Sequence, residues 1–373
     1  MKVLIAPDKF KGSLSAQQVC DAVERGVKIF DDSVEVIKHP LADGGEGTLD
    51  ILQNYFDLKP VSVEVKNPIF QKIYAQYMIS GKNAFIEMSN ASGLQLLKKE
   101  EQNCFYTSTI GTGQLILDAI EKGAENITLF IGGSATNDAG IGMASALGYN
   151  FYNSSNQLIN PIGKELINIS KIDSSNVKIN FSKINFTVVC DVKNPLYGLH
   201  GAAYTYGKQK GASSKEIELL DLGLVNFSKQ VYKYLYKDIE NLEGGGAAGG
   251  LGAGAVCFLN AEIKSGINFI IEKTKFIDHL NDKIDYIITG EGSVDKQTLE
   301  GKVVNGVSEI AIKYKIPFYI IAGVVNDREL IEEKLKPTGI NSIMEMNITF
   351  DEAIKNAKKH VEKMAFRIVS NSI

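Results

Sequence analysis

The chain lacks several sequence patterns that would assign it to a common class of protein. Its four cysteines, Cys20, Cys104, Cys190 and Cys257, are far apart and form no Cys-x-x-Cys pair, so neither a zinc site nor a disulfide framework is predicted. The histidines form no His-Glu-x-x-His motif and show no triad spacing. No apolar run approaches the ~20 residues of a membrane span, and the run after Lys2 is too short for a signal peptide. We expect a cytoplasmic protein with reduced thiols and no membrane partner.

Two signatures of nucleotide and nucleic-acid binding are also missing. No stretch fits the P-loop pattern Gly-x-x-x-x-Gly-Lys-Ser/Thr, because Gly301-Lys302 is followed by Val303. A net charge of −4 and a pI near 5.8 argue against a nucleic-acid binder. A nicotinamide enzyme is a weak alternative, since no clean strand precedes the glycines at 244–254. An anionic ligand would therefore have to be bound by local groups.

Three loops combine glycine with acidic and hydroxyl side chains. They are residues 40–48 (Pro-Leu-Ala-Asp-Gly-Gly-Glu-Gly-Thr), 132–140 (Gly-Gly-Ser-Ala-Thr-Asn-Asp-Ala-Gly) and 289–295 (Thr-Gly-Glu-Gly-Ser-Val-Asp). In the first loop, glycine permits positive φ, and Asp43, Glu46 and Thr48 offer the hard oxygen atoms that Mg²⁺ prefers. One such loop is as often a tight turn or a β-bulge, but three together favour one shared ligand site.

The order of the apolar runs predicts two α/β domains, for which 373 residues that are 44% hydrophobic suffice. Five β-branched runs, at 3–6, 34–37, 284–289, 318–322 and around 340–344, are typical of one parallel sheet. Two come from the start of the chain and three from its end. We therefore predict a discontinuous domain of residues 1–60 and 281–373, interrupted by an inserted domain of residues 61–280.

The inserted domain has a different pattern. Alternating strands at 61–66, 73–79 and 84–88 predict antiparallel pairs. Buried strands at 127–131 and 186–190, with helices between them, then predict a mixed sheet. The glycine-rich segment 244–254 fits a hinge, a ligand-facing loop or a closely packed helix, and we favour a hinge or ligand role over close packing.

Acids, lysines and glycines at strand ends suit phosphoryl transfer, which needs cations, Mg²⁺ ligands and a carboxylate for the attacking hydroxyl. Lys9, Lys11 and Ser13 follow the first strand and open a helix, so they could bind phosphate or carboxylate; two solvated lysines are the alternative. Asp191 ends a buried strand and could be the general base. Glu291 and Asp295 could hold metal or phosphate-bound Mg²⁺.

Five of these motifs resemble the type 1 glycerate kinase family of bacteria. They are residues 6–14, 42–48, 132–138, 190–196 and 289–292, in the order in which the family has them. The resemblance covers residues 1 to about 370. It implies Mg²⁺-dependent transfer of the γ-phosphoryl group of ATP to D-glycerate, typically at the 2-hydroxyl, giving 2-phosphoglycerate. It also implies a flavodoxin-like α/β domain interrupted by a second α/β domain, with the active site in the cleft between them.

The predicted site contains residues from both domains. The catalytic candidates are Asp191, Lys9 and Asp43, and the metal candidates are Asp295 and Glu291. The candidates for binding substrate or phosphate are Lys11, Ser13, Gly44, Gly45, Glu46, Thr48, Ser134, Asn137, Asp138, Asn194 and Glu291. The expected ligands are ATP, Mg²⁺ and D-glycerate, and the expected assembly is a monomer or homodimer.

Three alternatives stay open. The product could be 3-phosphoglycerate, because the regiochemistry depends on the exact placement of the substrate. A non-catalytic sensor of a small hydroxy acid would keep the glycines but would not need so many acids. A Mg²⁺-dependent phosphatase or mutase usually has Asp-x-Asp after the first strand, where this chain has Pro7-Asp8-Lys9-Phe10.

Overall fold

The computed structural model describes residues 1–44 and 47–371. The strands are β1 (Lys2–Ile5), β2 (Glu35–Lys38), β3 (Lys59–Lys66), β4 (Lys72–Ser80), β5 (Asn83–Glu87), β6 (Asn126–Phe130), β7 (Asn150–Tyr152), β8 (Lys171–Asp173), β9 (Asn185–Val189), β10 (Glu262–Lys264), β11 (Tyr286–Val294), β12 (Phe318–Val325) and β13 (Gly339–Ser342). The α-helices are α1 (Ala16–Phe30), α2 (Thr48–Leu52), α3 (Ser89–Ser92), α4 (Ile110–Glu121), α5 (Ile141–Ala146), α6 (Ala202–Tyr206), α7 (Ser214–Leu235), α8 (Ala247–Leu259), α9 (Gly266–Lys273), α10 (Val303–Tyr314), α11 (Arg328–Leu335), α12 (Phe350–Lys355) and α13 (Ala357–Ser370). Short 3₁₀ helices are Leu94–Leu96, Lys99–Glu101, Gly163–Asn168, Phe181–Lys183, Lys208–Lys210, Phe276–Asn281, Lys296–Glu300 and Met344–Met346.

The chain folds into two compact units. The first consists of Met1–Tyr55 and Ser265–Ile373, and the second of Phe56–Lys264. Residues 265–280, which the sequence analysis placed in the insert, belong to the first unit. The reason is close packing: a Cβ on Gly266 would lie 1.6 Å from the carbonyl oxygen of Asp43, and Thr274 Oγ1 lies 2.7 Å from His39 Nε2.

The first unit contains one parallel five-stranded sheet in the order β13-β12-β11-β1-β2. Counted along this unit alone, the order is the 2-1-3-4-5 arrangement of flavodoxin-like folds, so the predicted fold class is confirmed. Its central strands bury apolar runs, residues 3–5 of β1 and 287–288 of β11, because helices cover both faces of such a sheet. The direction of winding reverses between β1 and β11, and folds of this kind bind ligands at the carboxyl ends of those strands.

The second unit is built on a six-stranded mixed sheet in the order β10-β9-β6-β5-β4-β3. Strands β3, β4 and β5 pair antiparallel, and β5, β6, β9 and β10 pair parallel. The predicted mixed sheet is therefore present. The antiparallel pair β7-β8 and the edge strand β10 were not predicted, because strands of three residues are too short to show a pattern.

The glycine-rich segment serves close packing, so the expectation of a hinge or ligand role was wrong. A Cβ on Gly249 would lie 2.0 Å from the carbonyl oxygen of Thr136, and one on Gly254 would lie 2.3 Å from that of Ala139. The backbone N–H of Ala139 donates to the carbonyl of Gly249 at 3.0 Å. Ala248, Gly249 and Gly250 have positive φ, which the two glycines adopt without strain. The glycines thus let α8 pack directly against the loop at 132–140.

Among the residues that the structure describes, no helix combines the length and the apolar character needed to cross a membrane.

Candidate functional site

The first unit contains a cavity of about 460 Å³ at the carboxyl ends of its strands. One end of the cavity is charged and polar, and the other is apolar. The polar lining consists of Asp8, Lys9, Lys11, Ser13, Asp43, Glu291, Ser293 and Lys302. The parallel pairing of β1 with β11 accounts for this meeting of residues that are far apart in sequence, because both strands end at the same edge of the sheet.

Asp8 follows β1 and lies at the switch point of the sheet. Its backbone N–H donates to the carbonyl of Gly290 at 2.8 Å, and its carboxylate accepts a hydrogen bond from the backbone N–H of Lys9 at 2.6 Å. The residue is only 8% exposed. Burial, with a further contribution from the Asp43 carboxylate, raises the pKa of Asp8 to about 7. A carboxylate held here is therefore destabilised until a cation compensates it.

Glu291 lies on β11 and is 6% exposed. Its carboxylate accepts a hydrogen bond from Thr298 Oγ1 at 2.6 Å. Burial raises the pKa of Glu291 to about 7, although Thr298 and Lys302 oppose the shift, and the Asp43 charge adds to it. Two buried carboxyls with raised pKa thus line one cavity, which is typical of a functional site.

Lys9 and the first glycine-rich loop lie close together. A Cβ on Gly47 would be 3.5 Å from Lys9 Nζ, and both Gly44 and Gly47 have a φ of +88°. Thr48 begins α2 and is buried. The predicted residues Gly45 and Glu46 lie outside the described residues. Of the loop residues that the structure describes, Asp43 is the one that lines the cavity.

Lys11 and Ser13 lie on a tight turn. The backbone groups of Phe10 and Leu14 bond each other in both directions at 2.8 and 3.0 Å, and Gly12 between them has a φ of +78°. The turn presents both predicted residues to the cavity. The start of α1 is closed by a capping box of Ser15 and Gln18, so the lysine side chains, rather than the helix amides, are the groups to bind an anion.

Asp295 has a structural role that the sequence analysis did not predict. Its carboxylate accepts a hydrogen bond from the backbone N–H of Gln297 at 2.8 Å and caps the 3₁₀ helix that carries Thr298. Among residues 1–44 and 47–371, no group of three or more His, Cys, Asp or Glu side chains is arranged to hold a metal. Mg²⁺ bound with a nucleotide needs only one or two carboxylates. Asp8, Asp43 and Glu291 offer the carboxylate oxygens that Mg²⁺ prefers, and a bound cation would relieve the repulsion among them.

In the second unit, Asp138 is fully buried and holds its loop together. Its carboxylate accepts hydrogen bonds from Thr109 N and Oγ1, both at 2.8 Å, and from the backbone N–H groups of Gly140 and Gly142 at 3.2 Å. Burial raises the pKa of Asp138 while these donors oppose the shift. These contacts give Asp138 a structural role, and its predicted ligand role stays untested.

The neighbouring Ser134 is positioned by a lysine that the sequence analysis missed. Buried Lys210 donates from Nζ to Ser134 Oγ at 2.6 Å and to the carbonyl of Thr136 at 2.9 Å. Burial lowers the pKa of Lys210 to about 8, with Cys104 and Asp138 opposing the shift. Asn137 is 1% exposed, and neither of its amide atoms has a hydrogen-bond partner among the described residues. Asn137 thus stays a candidate for binding a ligand.

Asp191 follows β9 and is exposed, and its role as a general base stays a prediction. Asn194 is instead occupied by local contacts. Its amide nitrogen donates to the carbonyl of His200 at 2.8 Å, and its oxygen accepts from the Tyr206 hydroxyl at 2.6 Å. These contacts show that Asn194 shapes its loop, and its binding role stays a prediction.

Known proteins match this chain over almost its whole length. The family model described as the glycerate kinase family matches residues 3–372. The chain belongs to the glycerate kinase family. A glycerate kinase of Bacillus cereus is 40% identical over 372 residues, covering 99% of this chain and 97% of the relative. A glycerate 2-kinase of Escherichia coli K12 is 39% identical over 363 residues, covering 97% and 95%.

A solved structure agrees with this family membership. A crystal structure of a Salmonella typhimurium LT2 protein assigned as glycerate kinase 2 superposes with a TM-score of 0.86 at 37% identity. The match covers 100% of this chain and 98% of that one. As a member of this family, the protein is a kinase, and ATP is its co-substrate.

Proposed function

We propose that this kinase transfers the γ-phosphoryl group of ATP to the 2-hydroxyl of D-glycerate, with Mg²⁺, and forms 2-phosphoglycerate. The observation that carries the proposal is the pair of buried carboxyls, Asp8 and Glu291, beside lysines in one cavity. Phosphoryl transfer depends on positioning and charge neutralisation, which such a set provides. The name of the Escherichia coli relative, a glycerate 2-kinase, supports the choice of hydroxyl.

The roles divide between cationic and acidic side chains. Lys9, Lys11 and Lys302, which line the polar end of the cavity, would neutralise the phosphates of ATP. One or two of the carboxylates of Asp8, Asp43 and Glu291 would hold Mg²⁺, which would neutralise charge on the phosphates of ATP. Ser13 would donate a hydrogen bond to a phosphate oxygen.

The remaining residues with a proposed role belong to the second unit. Asp191 is the proposed base, because it is an exposed carboxylate at the end of a buried strand and can accept the proton of the attacking hydroxyl. Asn137, with its unpaired buried amide, is the proposed ligand for the acid substrate. A change of Asp191→Asn should lower kcat by ~10²- to 10⁴-fold and leave the thermal midpoint unchanged. A near-normal kcat would remove Asp191 from the base role.

The decisive experiment is ³¹P NMR of the purified protein with ATP, Mg²⁺ and D-glycerate, because one spectrum shows transfer and identifies the product. We expect growth of the 2-phosphoglycerate resonance, which should stop when EDTA is added. Growth of the 3-phosphoglycerate resonance would favour the alternative regiochemistry. Intact ATP after long incubation with D-glycerate would contradict the proposed substrate.

A further inference from the structure

The apolar end of the cavity has no role in the chemistry proposed so far. Its lining comes from the ends of β12 and β13 and from α12 and α13: Val324, Ile343, Met344, Phe350, Ile354 and Ala357. The polar end binds phosphate groups in the proposed function, and both ends belong to one cavity of about 460 Å³. That volume is typical of a site for a drug-sized ligand and exceeds what a three-carbon acid needs.

A helical stripe forms one wall of this apolar end. Phe350, Ala353 and Ile354 are spaced at i, i+3 and i+4 on α12, Ala357 begins α13, and all four line the cavity. The two alanines are buried and leave space, whereas Phe350 is 63% exposed and Ile354 is 40% exposed. Residues at this spacing lie on one helical face. This wall therefore contains a slot, with the small side chains of Ala353 and Ala357 along its base and the large apolar side chains of Phe350 and Ile354 beside them.

The backbone at Phe350 is held by a helix cap. Thr349 is the N-cap of α12, and its hydroxyl accepts a hydrogen bond from the backbone N–H of Glu352 at 3.2 Å. Phe350 is therefore the first residue of a capped helix rather than part of an irregular loop. An exposed aromatic ring held at a cavity wall offers a flat apolar face to a ligand.

We propose that this slot binds the adenine base of ATP, with the base against Phe350 and Ile354 and the phosphates directed towards Lys9, Lys11 and Lys302. This inference rests on the proposed phosphate-binding role of the polar end. A nucleotide is a ligand with a flat apolar base at one end and an anionic chain at the other, which matches the polarity of the cavity. Stacking on an aromatic ring is the general way in which proteins hold such bases.

The test compares Phe350→Ala with Phe350→Tyr, which keeps an aromatic ring, and with Tyr314→Ala. Tyr314 is a 40% exposed aromatic residue of the same unit that does not line this cavity. Calorimetric titration with ADP is the first readout, because it does not depend on turnover. Phe350→Ala should weaken ADP binding about tenfold, whereas Phe350→Tyr and Tyr314→Ala should bind ADP like the unmodified chain.

Steady-state kinetics give the second readout. In Phe350→Ala the KM for ATP should rise about tenfold, while the KM for D-glycerate and kcat should change less than about twofold. Ile354→Ala should weaken ADP binding a few-fold, and it serves in place of Phe350→Ala if that variant does not fold.

The two proposals fail in different ways. ADP affinity unchanged in both Phe350→Ala and Ile354→Ala would overturn the adenine site, even if D-glycerate is phosphorylated normally. Loss of ADP affinity in a chain that does not phosphorylate D-glycerate would support the adenine site and contradict the proposed substrate.

Discussion

Both units bury ionisable side chains, but the number of hydrogen bonds that these side chains make differs between the units. In the second unit Asp138 receives four hydrogen bonds, and Lys210 donates to two oxygens. In the first unit, Asp8 and Glu291 each accept one hydrogen bond from a described residue and line a cavity together with a third carboxylate. A buried charge alone therefore does not identify a binding site. A binding site is indicated when the protein supplies too few hydrogen bonds to compensate the charge.

The physical reason lies in the cost of burying a charge. A buried carboxylate is stable when donors surround it, and then it organises the backbone that supplies those donors. A buried carboxylate that is poorly compensated lowers stability, and such a cost is common where a ligand will supply the missing charge. We therefore expect that Asp→Asn substitutions in the first unit lower activity, whereas those in the second unit lower the free energy of unfolding.

The largest effect should come from Asp8→Asn. The amide keeps the shape of the side chain but removes a charge that the proposed Mg²⁺ and phosphate chemistry requires, so we expect a loss of about a thousandfold in kcat/KM. Because the substitution also removes repulsion from Asp43 and Glu291, the thermal midpoint should stay the same or rise. A stable variant that keeps more than a tenth of the activity would contradict the proposed role of Asp8 in ligand binding.

Asp138→Asn should give the opposite result. The amide nitrogen would face N–H and O–H donors, because four donors converge on the carboxylate. We expect the free energy of unfolding to fall by about 3 kcal/mol. Chemical denaturation would measure this loss, and ADP titration of the remaining folded protein should show unchanged affinity. Weakened ADP binding with no loss of stability would restore Asp138 as a ligand-binding residue.

Lys210 offers a test through pH. Its pKa of about 8 in the native protein lies below the ordinary 10.5, so the unfolded chain holds more protons at this residue between these two values. The contribution of Lys210 to the free energy of unfolding therefore rises with pH across that window, by about 2 kcal/mol between pH 8 and 9.5. Cys104 and Asp138 are the two groups that oppose the shift. Burial raises the pKa of Cys104 to about 11, so this thiol stays protonated between pH 8 and 9.5. Burial also raises the pKa of Asp138.

The measurement is chemical denaturation of the unmodified chain and of Lys210→Met at several pH values. The difference between the two should grow with pH over the interval. Lys208→Met is the matched control, because Lys208 is exposed two residues away and should leave the pH dependence unchanged. A difference that is constant with pH would show that burial does not lower the pKa of Lys210, so that the lysine stays charged in the native protein over this interval.

The sequence predicted the parts of the site that depend on local patterns. Lys9, Lys11 and Asp43 follow recognisable strands, and parallel strands bring their carboxyl ends to one edge, so the meeting of Asp43 with Glu291 could be expected. The roles of Asp138 and Asn194 could not be predicted, because residue type does not show how many donors or acceptors surround a side chain.

Two further features had no sequence signal. Lys210 has the same local pattern as an exposed lysine, since only the tertiary fold buries it. The spacing of Phe350 and Ile354 is equally typical of a helix packed on a core, and their exposure became visible only when the position of α12 was known.

Lys9→Ala should have the smallest effect and gives the finest test of how the first unit binds anions. The ammonium lies beside Gly47 and lines the cavity. Its removal deletes one of several proposed cationic partners of phosphate, so we expect about a tenfold weaker affinity for ATP, equal to about 1.4 kcal/mol. Because Lys9 is half-buried at the cavity, the thermal midpoint should change little.

The control for this change is Lys28→Ala on α1, a lysine that does not line the cavity and whose Nζ donates to the carbonyl oxygen of Asp32 at 2.6 Å. ADP titration and steady-state kinetics should separate the two variants, with only Lys9→Ala showing weaker nucleotide binding. The loss should shrink as ionic strength rises, because added salt screens the interaction of an accessible ammonium with phosphate. Unchanged affinity for both ATP and D-glycerate would mean that Lys9 orders the loop at 43–48 rather than binding an anion, and the contrast between the two units would then rest on their carboxylates alone.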